Sequence, residues 1–273
     1  MFNTGIVSNC WNFYFQNNVS LRDLVANAAD LHLFDIELRQ GSLGDLEPTH
    51  SAPHLNEFKN IAQAHHHCRF DYAMSFPFFG EPFDSSACDL QLGRDLALAC
   101  GNGDAHLRLV DVTSDNSMGE VNFDTTVKSL IQVADDLDTY GIRLTIEHSF
   151  QTWDLFWPLF QEVRTRSRTG NLWLCFDPAN FSLAGEADRI EDIVANVDKS
   201  VISMLHVKQA NHGTIETELC SGEVDWPVVV QEFTKAGYRG PTMFEFVSSP
   251  EVGRVIHESL RKWQSWLAHE GNA

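Results

Sequence analysis

The chain has 273 residues, of which 43% are hydrophobic, and this is enough for one large core or two smaller ones. Its 19 Lys and Arg residues stand against 38 Asp and Glu residues, so the formal net charge is −19. This balance argues against nucleic acid as a partner, because phosphate binding needs clustered basic side chains. The excess of carboxylates suits a divalent cation, although a solvated acidic surface explains most of it.

The N-terminus and the cysteines are typical of a protein in a reducing compartment. The opening stretch MFNTGIVSNCWNFYF lacks the basic and long apolar regions of a signal peptide. No apolar run approaches the roughly 20 residues that span a bilayer, so no membrane partner is expected. The six cysteines include no Cys-x-x-Cys pair, and several have apolar neighbours, which predicts buried free thiols. The expected localisation is cytoplasmic.

Short β-rich runs recur along the whole chain. The first is Ile6–Val7, and the others cover 33–39, 69–76, 105–112, 142–149, 172–177, 201–208 and 241–246. These eight runs are spaced by roughly 30 to 38 residues, which is the size of one β/α unit in a barrel of about 250 residues. The spacing therefore predicts eight strand-and-helix units.

The segments between these runs have the periodicity of amphipathic helices. Ser20 is a candidate N-cap for a helix over 20–32, which has apolar residues on one face. A second helical pattern ends at Gly141, where a C-terminal glycine is favourable. A third begins after Asp225 and ends at Gly237. The segment between two consecutive β-rich runs is thus long enough to form a helix.

Alternating strands and helices predict a parallel sheet, and eight units in this length predict an α/β fold, the closed (β/α)8 TIM barrel. We expect residues 1–273 to form this barrel as a single domain, since no linker or low-complexity segment interrupts them. An open doubly wound sheet is the alternative, but the segment after the first run, SNCWNFYFQNN, has no Gly-x-Gly phosphate loop. The irregular stretches 41–55 and 77–90 are expected to border the mouth of the active site.

Charged and imidazole side chains stand where the predicted strands end, which is the face that carries the active site in such barrels. The fifth to eighth strands end with Glu147, Asp177, His206 and Glu245. Three of these are anionic, and they would repel one another unless a cation joined them. A carboxylate-rich set with one imidazole suits Mn²⁺, Mg²⁺, Co²⁺ or Zn²⁺. The pattern therefore predicts one divalent metal ion at the rim.

Taken alone, most of these residues have another explanation. Glu147 could be a surface residue at a strand end, and His206 could be a core histidine with its hydrogen bonds satisfied. Asp177 precedes a proline and could cap the next helix, since Asp-Pro favours turns. Glu245 is harder to explain otherwise, because a charge between two phenylalanines on a barrel strand needs a partner. The joint arrangement on four successive units favours the metal site.

Several short motifs surround these residues: LTIEH (144–148), CFDPANF (175–181), LHVK (205–208), GEVDWPVVVQEFTKAGYRG (222–240), MFEF (243–246) and, in the first half, FDIELR (34–39). With them the chain resembles the xylose-isomerase-like barrels, the superfamily of sugar phosphate isomerases and epimerases and of AP endonuclease family 2. The resemblance implies a single divalent ion on Glu147, Asp177, His206 and Glu245. It also implies that Glu147 and Glu245 are the acid/base pair, with proton transfer through a metal-stabilised enediolate.

The chain departs from the family pattern at three positions. Asn180 stands where epimerase-like members usually carry a histidine, three residues after the aspartate. His212 stands where they carry an arginine, and Gln209 replaces the aspartate of a common His-x-Lys-Asp motif. Asn180 and His212 are candidate substrate contacts, so the substrates are expected to differ. The three-zinc DNA-repair branch needs additional histidines, and with the acidic charge this argues against an AP endonuclease.

Three more residues are candidates for binding the substrate. Glu37 and Arg39 could contact substrate hydroxyls or a phosphate, or they could pair with each other at the rim. Lys208 shares a strand face with His206, because residues i and i+2 point the same way, and it could act as an electrostatic stabiliser. The run HHHC (65–68) lies at a helix end away from the rim, which favours a solvated cluster over a metal site.

The sequence thus predicts a metal-dependent isomerase or epimerase whose partner is a small carbohydrate or a keto acid. Two alternatives stay open. One is a metal-dependent dehydratase on the same site, similar to the 3-dehydroshikimate dehydratases of this superfamily. The other is a barrel that binds a ligand without catalysis, although the presence of all four metal ligands weighs against it. The sequence identifies neither the substrate nor the metal. It also leaves the oligomeric state open, with a homo-oligomer among the alternatives.

Overall fold

Eight parallel strands close into a barrel in the computed structural model, which describes residues 3–47, 53–79, 81–112 and 120–270. The strands are β1 (Asn3–Val7), β2 (Asp35–Arg39), β3 (Arg69–Ser75), β4 (His106–Val110), β5 (Arg143–Glu147), β6 (Leu172–Phe176), β7 (Ile202–Val207) and β8 (Pro241–Phe244). They pair in chain order, and β1 closes the ring against β8, with Asn3 opposite Pro241. The predicted (β/α)8 TIM barrel is confirmed.

Helices connect the strands around the outside of the barrel. They are α1 (Asn12–Gln16), α2 (Leu21–Asp30), α3 (Leu55–Ala64), α4 (Cys88–Cys100), α5 (Glu120–Thr139), α6 (Trp153–Arg166), α7 (Asn180–Leu183), α8 (Ile190–Asn196), α9 (Trp226–Lys235) and α10 (Val252–Glu270). Within the described ranges, none of them has both the length and the apolarity that a membrane crossing requires.

The predicted helix caps are confirmed. Ser20 caps α2 by accepting a hydrogen bond from the backbone N–H of Asp23, and Asp225 caps α9 in the same way. Gly141 and Gly237 follow helices with φ angles of 68° and 71°, a left-handed conformation that glycine adopts without a steric penalty. Side-chain chemistry at the helix ends therefore sets where these helices start and stop.

The strands are shorter than the β-rich runs suggested. β6 ends at Phe176 and β8 at Phe244, so Asp177 and Glu245 are the first residues beyond their strands. An antiparallel hairpin of the two-residue strands Ala210–Asn211 and Thr214–Ile215, directly after β7, was not predicted. Parts of the two irregular stretches, residues 48–52 and 80, lie outside the described residues.

All six cysteines are unpaired, and four of them are buried, as predicted. Cys88 is exposed and Cys220 is half-buried, so the expectation of burial holds only for the other four. Cys175 belongs to a small apolar cluster with Val7, Met204 and Met243, and this cluster is separate from the main core. Strands β1, β6, β7 and β8 supply these residues, so one side of the barrel interior is apolar.

The other side of the interior is polar. Arg69 at the start of β3 bonds Asp35 on β2 and Asp71 on its own strand, at 2.8 and 2.9 Å. His106 Nδ1 on β4 lies 3.0 Å from Asp71 Oδ1, and its Nε2 contacts the Thr145 hydroxyl on β5. These residues lie in the N-terminal half of their strands. A polar layer therefore lies at the N-terminal end of the barrel. The strand-end charges meet at the opposite, C-terminal end.

Candidate active site

The four predicted metal ligands come together at the C-terminal ends of four neighbouring strands. Glu147 is the last residue of β5, Asp177 follows β6, His206 is the penultimate residue of β7, and Glu245 follows β8. One ligand atom from each lies within 4.8 Å of the ligand atoms of the others, and all four residues are buried. The second group of side chains in the described ranges that is close enough for a metal replaces Asp177 and Glu245 with Cys175.

His206 faces the three carboxylates with its Nδ1 atom. That nitrogen lies 3.4 Å from Glu245 Oε2, 3.6 Å from Glu147 Oε1 and 3.8 Å from Asp177 Oδ2. Neither ring nitrogen makes a hydrogen bond to the described residues, although the side chain is fully buried. Buried polar atoms normally have a partner, because leaving them without one costs free energy. An open imidazole nitrogen among three carboxylate oxygens fits a divalent ion.

Arg108 is a member of the site that the sequence did not predict. It is fully buried on β4, and its guanidinium donates to both oxygens of Glu37, with Nε 2.8 Å from Oε2 and Nη2 2.6 Å from Oε1. Its Nη1 donates to Oε2 of Glu147. Glu37 and Glu147 lie on β2 and β5, so the arginine joins strands from both sides of β4. The signal in the sequence was a single charge inside the apolar run HLRLV.

Lys208 reaches two of the ligands. Its Nζ lies 2.8 Å from Asp177 Oδ2 and 2.7 Å from Glu245 Oε2. The opposite oxygen of Glu245, Oε1, accepts from Arg39 Nη1 and, at 3.1 Å, from Asn9 Nδ2. Asn9 is a second member that the sequence did not predict, because it lies in a short helical turn after β1 with no marked pattern around it. Arg39 therefore pairs with Glu245, and Glu37 with Arg108, rather than with each other.

Asn180 is held in the site, whereas His212 is not. Asn180 is buried in the first turn of α7 and donates to Glu147 Oε1 at 3.0 Å and to the His148 carbonyl at 2.7 Å. His212 lies in the turn of the short hairpin with φ of 50°, and its side chain is 91% exposed. Its Nδ1 is 3.9 Å from Glu223 Oε1. Of these two departures from the family pattern, only Asn180 contacts the ligand cluster.

Gln209, the third departure, has a structural role. Its side-chain amide donates to the carbonyls of Cys220 and Val224, each at 3.0 Å. Its Oε1 accepts from the backbone N–H groups of Ala210 and Val224. The side chain thus ties the segment after β7 to the segment before α9. An aspartate would lack the donor for two of these four bonds.

Buried cations keep the two candidate acid/base residues ionised. Burial alone would raise the pKa of Glu147, but the Arg108 guanidinium and then His206 outweigh it and lower this pKa to about 2. The pKa of Glu245 is also lowered well below its ordinary value, because Lys208 outweighs the effect of burial. For Asp177, burial prevails over Lys208, and its pKa is raised. Glu147 and Glu245 are therefore both ionised near neutral pH, which is the state in which a carboxylate binds a cation.

The histidine run at 65–67 lies apart from this cluster. The His67 ring contacts those of His65 and His66 at centroid distances of 6.0 and 5.9 Å, and His66 and His67 are exposed. None of them belongs to a group of described side chains that converges closely enough for a metal. This agrees with the interpretation of the run as a solvated cluster.

Comparison with known protein families identifies the family to which the chain belongs. A family model described as the xylose isomerase-like TIM barrel matches residues 86–267, more than half of the chain. The chain belongs to this family. The match includes β5 to β8, and with them all four residues of the ligand cluster. No curated protein matches the chain in sequence.

Solved structures of the same fold cover almost the entire chain. A xylose isomerase domain containing protein from Salmonella typhimurium LT2 is 18% identical, with a TM-score of 0.72 and 97% coverage of both chains. An L-ribulose 3-epimerase is 14% identical, with a TM-score of 0.69, covering 100% of this chain and 96% of its own. The IolI protein with a bound zinc atom is 15% identical, with a TM-score of 0.69 and 98% coverage of both chains. At these identities the similarity establishes the fold alone.

Proposed function

We propose that the chain is a metal-dependent isomerase or epimerase that transfers a proton beside the carbonyl of a small sugar or keto acid. The observation that carries the proposal is the convergence of Glu147, Asp177, His206 and Glu245 on one buried point at the strand ends. Family membership supports it, as does similarity to barrels named L-ribulose 3-epimerase and D-psicose 3-epimerase. Proteins named for this chemistry therefore have the same fold as the chain.

The proposed ion-binding residues are Glu147, Asp177, His206 and Glu245. A divalent ion held by them would act as a Lewis acid and polarise the substrate carbonyl. Polarisation makes the neighbouring C–H group more acidic, so a carboxylate within reach can remove its proton. Glu147 and Glu245 are the proposed bases, since surrounding cations keep both in the ionised form that this step requires.

The positions of Glu147 and Glu245 suit removal of a proton on one side of the substrate and its return on the other. The two residues extend from β5 and β8, which are three strands apart around the ring. Each is also held in orientation by an amide, since Asn180 donates to Glu147 and Asn9 to Glu245. We propose that one glutamate takes the proton to form an enediolate and later releases it to solvent, and that the other takes a proton from solvent and delivers it to the opposite face.

The remaining candidates differ in their access to a substrate. Asn180, Lys208 and Arg39 contact the ligand cluster directly and are proposed substrate contacts. Glu37 has both oxygens bound by Arg108 and is fully buried, so we assign it to the support of the site. His212 would contribute only if a substrate extended as far as the hairpin.

Exchange of hydrogen with solvent tests the proposed chemistry. The Mn²⁺-treated protein is incubated in D₂O with a panel of ketoses and keto acids, and the recovered compounds are examined by NMR and mass spectrometry. We expect deuterium beside the carbonyl of at least one compound, and a loss of at least about 100-fold for E147Q and E245Q. The matched control is E251Q, which changes a glutamate that is 65% exposed on the surface and should keep the wild-type rate.

Two results would contradict the proposal. If E147Q or E245Q exchanged hydrogen at the wild-type rate, the assignment of that glutamate as an acid/base residue would be wrong. An unsaturated product formed with loss of water would indicate a dehydratase on the same residues instead of an isomerase.

A further inference from the structure

Lys208 contacts the same carboxylate oxygens that face His206. Asp177 Oδ2 lies 2.8 Å from the Lys208 ammonium and 3.8 Å from His206 Nδ1. Glu245 Oε2 lies 2.7 Å from the ammonium and 3.4 Å from the same ring nitrogen. These two oxygens are therefore shared between a lysine and the point where the four ligand atoms converge.

The other cations of the site bind different oxygens. Arg108 donates to Oε2 of Glu147, while Oε1 is the atom nearest to His206. Arg39 donates to Oε1 of Glu245, while Oε2 is the atom nearest to His206. Each arginine thus binds the oxygen of its glutamate that points away from His206 and does not contact the inner oxygen. Lys208 alone among these three cations binds inner oxygens.

The charges explain why a lysine is tolerated there. Glu37, Glu147, Asp177 and Glu245 are opposed by the three cations Arg39, Arg108 and Lys208. A buried carboxylate without a cation is strongly destabilising, so an ammonium on Asp177 and Glu245 lets the barrel fold before any ion binds. A divalent ion on the same oxygens would come within a few ångströms of the ammonium and repel it.

We propose that Lys208 is a tethered competitor of the divalent ion, which holds Asp177 and Glu245 when the ion is absent and leaves them when it binds. The inference rests on the metal site of the proposed function. Its consequence is a weakened affinity, because the ion must displace a cation that is covalently attached to the protein. The four-carbon stem of lysine is flexible, so the ammonium can withdraw without movement of the backbone.

Binding of Mn²⁺ to the full chain, measured by isothermal titration calorimetry after removal of bound metals with EDTA, tests this proposal. We expect K208M to bind Mn²⁺ at least tenfold more tightly than the wild type. The matched control is R39M, which removes the same charge from the other oxygen of Glu245 and should tighten binding by threefold at most. K208Q, which keeps a polar side chain of similar length, serves as a second variant should K208M fold poorly.

The outcomes separate this inference from the proposed function. Equal or weaker binding by both Lys208 variants, with measurable binding by the wild type, would overturn the competitor role and leave the metal site standing. A gain in R39M as large as that in K208M would also overturn it, because the effect would then come from charge alone. If neither the wild type nor the Lys208 variants bound Mn²⁺, the metal site itself would be absent and both proposals would fall.

Discussion

At the scale of single residues, Arg108 explains how two carboxylates are held together inside the barrel. Its guanidinium donates hydrogen bonds to both Glu37 and Glu147, and all three side chains are buried. Its planar group matches the two oxygens of Glu37 and has a further nitrogen for Glu147, a geometry that lysine lacks. Arg108 thus fixes which oxygen of Glu147 faces the site.

Replacement of Arg108 tests this role. R108M leaves two buried carboxylates without their cation, and breaking such a pair costs about 3–5 kcal/mol of the free energy of unfolding. R254M removes a surface arginine that pairs with Glu258 on α10, and it should cost less than about 1 kcal/mol. Urea unfolding of the three proteins provides the comparison. Similar losses in the two variants would contradict a structural role of the buried network.

Some residues of the site could be predicted from the sequence, and others could not. Asp177 and Glu245 were predictable because each is a charge that directly follows an apolar run, where a barrel places its active site. Arg108 was not, because its partners lie on β2 and β5 and nothing in the linear sequence pairs them. Asn9 was missed for the same reason, since its partner Glu245 is 236 positions away.

At the scale of elements, the helix caps are local and therefore easy to predict. The Ser20 hydroxyl accepts from the Asp23 N–H at 3.2 Å and lies 2.7 Å from the Asp23 carboxylate. The hairpin after β7 is also local, but its strands of two residues are too short to produce a periodic pattern. The ends of β6 and β8 depend on tertiary contacts and were placed one or two residues too late.

Loss of a cap should have a measurable cost. S20A leaves the Asp23 N–H, in the first turn of α2, without its side-chain acceptor, which typically lowers the free energy of unfolding by about 1 kcal/mol. S265A is the matched control, because Ser265 is exposed within α10 and alanine favours a helix there. We expect a lower midpoint of urea unfolding for S20A and an unchanged or higher one for S265A. An unchanged midpoint for S20A would argue that packing alone holds α2.

At the scale of the whole molecule, the barrel interior is divided between an apolar side and a polar side. TIM barrels commonly fill this space with branched apolar residues, so a polar layer was not expected from the fold alone. The chain makes room for it with Gly5, where an added Cβ would lie 2.1 Å from the Asp35 carbonyl oxygen and 2.6 Å from the Met243 sulfur. The polar side continues from the N-terminal layer around Asp71 to the strand ends. On β4 and β5, the pair His106–Thr145 is followed by the pair Arg108–Glu147.

The polar layer predicts an acid dependence of stability. Burial would raise the pKa of Asp71, but Arg69 and His106 outweigh it and lower this pKa to about 2. An unfolded aspartate has a pKa near 3.9, so the stabilisation is complete above about pH 4 and is lost as the pH falls towards 2. The difference between these pKa values corresponds to about 3 kcal/mol in total, most of which is lost between pH 4 and pH 2.

Variant D71N checks this dependence. Its amide does not titrate, so its free energy of unfolding should fall by about 2 kcal/mol less than that of the wild type between pH 4 and pH 2. Chemical unfolding at a series of pH values measures the difference. Parallel curves for the two proteins would show that Asp71 does not contribute to acid sensitivity.

The central claim is that four strand ends create one metal site in this barrel. Elemental analysis after Mn²⁺ loading and removal of free metal by gel filtration tests it directly. We predict about one ion per chain for the wild type and a loss of most of this ion for H206A, because the imidazole faces all three carboxylates. Wild-type protein without bound metal, or an H206A variant that retains a full equivalent, would contradict it.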